Sequence, residues 1–164
     1  MRSYVRFVDG LNHRVGRFSM YLLYLLMGVL LWSSLTKFFN HNAIWTLEFA
    51  QFTMVAYYML GGPYSLQLDS NVRMDLLYGR WSDRQKAWVD AFSVFALLFY
   101  LGVLLYGAVE STIYSLEYAE RSATAWRPYI APIKIIMVIG IFLMLLQTIA
   151  FFFRDVARLR GEDL

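Results

Sequence analysis

The chain has 164 residues, of which 59% are apolar and only 16% charged, with no cysteine and a formal net charge of +3. A soluble domain carries roughly a quarter charged residues, and here the charges are clustered, leaving long uncharged stretches. The missing cysteine excludes disulfides, thiolate metal sites and a cysteine nucleophile, and the small basic excess sits beside apolar segments, where it speaks to membrane topology rather than to nucleic-acid affinity.

The first element is a basic arm holding Arg2, Arg6, Arg14 and Arg17, followed by a charge-free window from Phe18 to Thr36. That window is too long for the apolar core of a cleaved signal peptide and no small-x-small site follows it, so a retained signal anchor is expected. A second charge-free window runs from Phe49 to Leu68, a third from Ala91 to Val109 and a fourth from Ile135 to Phe153. Each is close to the ~20 residues that cross ~30 Å of hydrocarbon at 1.5 Å per residue. Four such windows leave no polar elements to cover them, which excludes a soluble fold. The expectation is an all-α membrane protein: one domain over 1–164, with spans at about 18–39, 45–68, 85–118 and 132–155.

Between the second and third windows, the apolar stretch from Met74 to Gly79, with Trp81, suits a short segment lying in the membrane interface. Ser82-Asp83-Arg84-Gln85 reads as a capping box, which starts the third helix near Asp83. Helix-forming residues continue to about Arg121, so this helix is expected to project beyond the membrane. Pro128 and Pro132 then bracket a break, and Pro132 suits the first turn of the fourth helix, where its missing N–H costs nothing.

Eleven of the fifteen Lys and Arg residues lie in the N-terminal arm, the middle loop and the C-terminal tail. Lys37, Arg121, Arg127 and Lys134 lie on the other side. Positive loops stay inside, which predicts both termini and the middle loop in the cytoplasm. The tryptophans agree: Trp32, Trp45 and Trp126 fall at the outer boundary, Trp81 and Trp88 at the inner one.

Little in the chain offers chemistry. His13 and His41 lie outside the charge-free windows on opposite sides, which excludes a bis-histidine haem within the bundle. No catalytic, cofactor-binding or metal site is expected. Glu48 opens the second span. A carboxylate there serves either proton or ion coupling or, as its position in the first helical turn favours, a structural role at the positive end of the helix dipole. Lys134 is its counterpart one turn into the fourth span, at the same outer depth, either snorkelling to the headgroups or pairing with Glu48 across the bundle. Gln147, the only amide of the fourth span, is a candidate for an interhelical hydrogen bond. Gly61-Gly62-Pro63 interrupts the second span, where a proline kink is expected. A matching broken span, the mark of a transporter's own substrate site, is missing.

The run Gly61-Gly62-Pro63-Tyr64-Ser65-Leu66-Gln67-Leu68-Asp69-Ser70-Asn71-Val72-Arg73-Met74-Asp75 resembles the signature of the small membrane subunit of tripartite ATP-independent periplasmic (TRAP) transporters, the DctQ-like family. Trp45 and Glu48 resemble the Trp and Glu that open the family's second span, and Ser122 and Pro128 its Ser and Pro before the fourth. The family's loop motif, His-hydrophobic-Arg-hydrophobic-Asp, corresponds to Asn71-Val72-Arg73-Met74-Asp75, with Asn71 in place of the usual His. The resemblance implies a small accessory subunit in the bacterial inner membrane. It implies two partners: a large membrane subunit that carries the sodium-coupled, elevator-type path, and a periplasmic substrate-binding protein that delivers an organic acid. This chain would pack against the large subunit's scaffold and help hold it, with Trp45, Glu48, Gly61, Gly62, Pro63, Asn71, Arg73, Asp75 and Lys134 as structural or partner-contact candidates. The competing expectation is a small proton-coupled exporter acting as a homodimer, for which four spans and one membrane glutamate suffice.

Overall fold

The computed structural model describes residues 2–39, 43–68 and 83–159, with side chains placed for 3–39, 43–68 and 92–154. The interfacial segment expected at Met74 to Trp81, the Ser82 cap, and the motif residues Asn71, Arg73 and Asp75 lie outside the described residues. Among the described residues four helices follow in order: α1 (Arg2–Phe38), α2 (Trp45–Gln67), α3 (Asp83–Glu117) and α4 (Ala131–Leu159).

The basic arm is not a separate lead-in but the first half of α1, a 37-residue helix roughly 55 Å long at 1.5 Å per residue. Val5, Val8, Asn12, Gly16 and Ser19 are buried. Their 3–4–4–3 spacing puts them on one helical face, which packs on α2 and α4 while Arg6, Arg14 and Arg17 point outward.

Contacts along the helices show that they alternate in direction. The hydroxyls of Ser33 near the end of α1 and Thr46 at the start of α2 are 3.1 Å apart. At the other end of the pair, Gln67 donates to the Asp9 carbonyl at 3.3 Å. On α4, Lys134 lies beside Ser111 near the end of α3, whereas Arg154 reaches Asp9 near the start of α1. The beginning of α1 and the end of α4 therefore share one end of the molecule, the termini end. The α1–α2 and α3–α4 connections share the other, the hairpin end.

The arrangement is a packed trio with an appendage. Helices α1, α2 and α4 contact one another, while among the described residues the extensive contacts of α3 are with α4. Only 6% of the apolar window of α3 is buried inside the chain, against 33% for α4, so α4 is the central helix and α3 presents Phe92, Phe95, Phe99 and Tyr106 outward.

Among the described residues three helices, α1, α3 and α4, are long and apolar enough to cross a membrane. Helix α2 has the length, at 23 residues, but its hydropathy is diluted by Thr46, Glu48, Gln51, Thr53, Gly61, Gly62 and Pro63. Most of these face other helices: Thr46, Glu48, Thr53 and Pro63 are buried. Small and polar residues at helix–helix contacts are how membrane helices approach closely.

Pro63 does not end α2, which continues to Gln67. A proline at 63 cannot supply the N–H that the Met59 carbonyl would accept four residues back. Gly140 of α4 sits against that same carbonyl, so close that a methyl group on Gly140 would lie 2.6 Å from the oxygen. One turn on, a methyl on Gly62 would lie 2.5 Å from the terminal carbon of Met144. The Gly61-Gly62-Pro63 run is a seam where α4 approaches the α2 backbone.

Candidate functional site

Among the described residues, polar side chains gather at two places, one at each end of the trio. At the hairpin end, α3 stops at Glu117 and Ala119 takes a left-handed conformation, φ 47°. The Glu120 N–H then returns to the Ser115 carbonyl at 3.1 Å, a helix C-cap in which alanine occupies the position usually given to glycine. The next residues form a narrow loop: Ser122 N–H donates to the Pro128 carbonyl at 3.0 Å and Ile130 N–H to the Glu120 carbonyl at 3.1 Å. Arg121 stacks over the Tyr129 ring, 4.3 Å from its centroid, and Arg127, before Pro128, is also left-handed at φ 49°.

This loop delivers two side chains to the helix starts. Glu120 accepts from the Lys134 ammonium at 2.7 Å and from the Ser115 hydroxyl. Lys134, followed by Ser115, holds the Glu120 carboxyl below its ordinary value. Ser122 donates to Glu48 Oε1 at 3.3 Å. Glu48 is 4% exposed, and its Oε2 is buried with no donor among the described residues.

The expected Glu48–Lys134 pair is therefore not formed. Both residues are at the hairpin end, at the starts of the parallel helices α2 and α4, as their positions imply. The cap at Ala119 folds Glu120 back onto Lys134 first, and Glu48 is left with the neutral Ser122. Glu120 was missed because its placement depends on a turn, which spacing along the helices does not reveal. Trp45 is part-exposed at the start of α2 and meets Phe49 edge-on, with ring centroids 5.9 Å apart.

The second cluster, at the termini end, is a directional chain. Arg154 pairs with Asp9, Gln147 Nε2 donates to Asp9 Oδ1 at 3.2 Å, and Asn12 Nδ2 donates to Gln147 Oε1 at 2.5 Å. A carboxylate only accepts, so Asp9 fixes which way the Gln147 amide points, and Gln147 in turn fixes Asn12. Both amides are fully buried. Beneath them Val5, Val8 and Ala150 form an apolar core with Tyr4, Leu146 and Phe153. The interhelical bond expected of Gln147 is present; Asp9, Asn12 and Arg154 are additions. Their signal was the spacing of Val5, Val8 and Asn12, hidden among arginines.

Each cluster holds one ion pair formed within the chain. Lys134–Glu120 and Arg154–Asp9 are the ion pairs among the described residues, and each ties α4 to another part of the chain. Among the described residues no three His, Asp or Glu side chains gather as a metal site would require.

Helices of this length and apolarity, packed with small residues in their seams, define a multi-pass helical membrane protein. Residues 26–158 match the profile of the family described as Tripartite ATP-independent periplasmic transporters, DctQ component. The chain belongs to that family, which makes it the small membrane subunit of a TRAP transporter, a component that associates with a large membrane subunit and a binding protein. No individual curated protein and no solved structure matches it significantly.

Proposed function

We propose that the chain is the accessory scaffold subunit of a sodium-coupled, binding-protein-dependent importer of organic acids in the bacterial inner membrane. In this reading α2 is a fourth span and the termini end faces the cytoplasm, where the positive-inside rule places the arm and tail arginines. Its role is to pack against the large permease subunit and stabilise it. The observation that carries this reading is that the described ion pairs serve to fasten α4 to α1 and to the hairpin-end loop. A path for an ion or an organic anion needs polar groups facing a cavity at mid-membrane, and the middles of α1 and α3 offer aliphatic and aromatic side chains instead.

The second reading, a homodimeric proton-coupled exporter, rests on Glu48, a buried carboxylate with one oxygen lacking a described donor. Against it stands the position of Glu48 in the first turn of α2, beside Ser122. Purification of the full chain, coexpressed with a large TRAP membrane subunit, separates the two. The scaffold reading expects a stoichiometric complex of the two chains. A stable homodimer that binds lipophilic cations and leaves the large subunit behind would replace it.

A further inference from the structure

Because α3 has its extensive contacts among the described residues with α4, a groove of about 380 Å³ opens between them, lined by Tyr100, Val103, Leu104, Gly107, Met137 and Ile141 with Ser111 and Lys134 at its hairpin end. Nearly all of its wall is apolar. Gly107 widens it, since a methyl group there would meet nothing within 4 Å. Along its length the groove offers no hydrogen-bonding side chain except the Tyr100 hydroxyl, and all of its charge is at one end.

That end has a specific electrical character. Lys134 spends one N–H on the Ser111 carbonyl at 3.3 Å and another on Glu120 Oε2, and its third has no partner among the described residues. Glu120 uses Oε2 for both Lys134 and Ser115. Its side chain is 36% exposed, and Oε1 has no described partner. The Lys134 ammonium is already paired with the Glu120 carboxylate, so a purely anionic headgroup meets no net positive charge there. An ion pair with an unused donor on one side and an unused acceptor on the other matches a zwitterion of opposite polarity.

We propose that this groove is a binding site for one phospholipid with a primary-amine headgroup. Its acyl chain runs from Gly107 toward Tyr100 and Ile141, its phosphate takes the third N–H of Lys134, and its ammonium takes Glu120 Oε1. Charge-assisted hydrogen bonds of this kind are the stronger ones, and quaternary choline, which has no N–H to donate, loses the second of them. The site does not depend on what the assembled transporter carries.

The test uses the full chain in nanodiscs of equal parts phosphatidylethanolamine, phosphatidylglycerol and phosphatidylcholine. The lipid retained after transfer to mild detergent is counted by native mass spectrometry. The expected result is one retained phosphatidylethanolamine, favoured about tenfold over each of the others, or ~1.4 kcal/mol. Gly107→Leu fills the groove without touching the ion pair and should abolish retention while leaving the thermal unfolding of the detergent-solubilised chain undiminished. Lys134→Met should remove the preference among headgroups. Equal retention of the three lipids, preference for phosphatidylglycerol, or a Gly107→Leu chain that keeps its phosphatidylethanolamine would each overturn the proposal.

Discussion

Gly140 of α4 packs directly on the Met59 carbonyl of α2, the group that Pro63 deprives of its helical donor. The close approach and the proline belong together: the exposed carbonyl is covered by a neighbouring helix that has no side chain at that point. In Gly140→Ala the new methyl would meet the oxygen at 2.6 Å and the carbonyl carbon at 2.9 Å. Backbone atoms do not swing aside, so α2 and α4 must separate, at a cost of about 1–3 kcal/mol. Gly102 faces open space, and Gly102→Ala should stabilise α3 by up to ~1 kcal/mol through helix propensity. Thermal unfolding of the two variants in the same detergent compares them; equal behaviour would mean the seam is not closely packed.

The pairing of Lys134 with Glu120 rather than Glu48 predicts a pattern of coupling. Lys134→Met and Glu120→Gln combined should be milder than their sum by about 0.5–3 kcal/mol, as for contacting sites. Lys134→Met and Glu48→Gln should come closer to additive, because Glu48 is served by Ser122. Coupling of Lys134 to Glu48 and not to Glu120 would restore the pair that their helix positions suggested.

Acid should loosen the hairpin-end loop. The Glu120 carboxyl is held below its ordinary value of 4.5, first by Lys134 and then by Ser115. A carboxyl lowered in the folded state contributes stability that is fully present above its unfolded value and is lost as pH falls through its folded value. Hydrogen exchange of the Ser122 and Ile130 amides, taken relative to the intrinsic rate at each pH, should therefore accelerate below about pH 4.5. In Glu120→Gln it should be faster at neutral pH and lack that acid component. An unchanged acid profile in Glu120→Gln would assign the transition to another carboxylate.

At the termini end, Asp9 and Arg154 are both mostly covered, with side chains 22% and 29% exposed. Removing one member strands the other, which is costlier than removing both. Arg154→Met alone should release the start of α1 from α4, read as faster proteolysis after the arm arginines. Asp9→Asn with Arg154→Met should recover part of the protection. A double variant as fragile as the sum of its parts would mean that Gln147 and Asn12, rather than the ion pair, hold α1 in place.

The helices were legible because a bilayer demands long uncharged stretches, and the start of α3 near Asp83 follows from the residues that precede the third window. The helical arm was not legible. Its buried face contains Asn12, Gly16 and Ser19 beside Val5 and Val8, and small or polar residues give no apolar stripe. Gly61-Gly62-Pro63 was found as a feature, but the α4 residues that meet this seam, Gly140 and Met144, lie far along the chain, and no local pattern announces those contacts. Glu48 and Ser122 were each picked out by resemblance to the family. Their contact needs the loop that folds Ser122 back, so the pair emerges only in three dimensions. Lys134 lies at the same end as Glu48, but its partner depended on the left-handed turn at Ala119.

The most direct test of the account is transport itself. A large TRAP membrane subunit and its periplasmic binding protein are expressed with and without this chain in the same cells, and uptake of the radiolabelled organic acid is followed with sodium present. The account predicts that uptake requires the chain, and that Glu48→Gln lowers the amount of assembled complex while uptake per complex and its dependence on sodium stay unchanged. Full uptake without the chain, or a Glu48→Gln complex that assembles normally yet no longer responds to sodium, would contradict it.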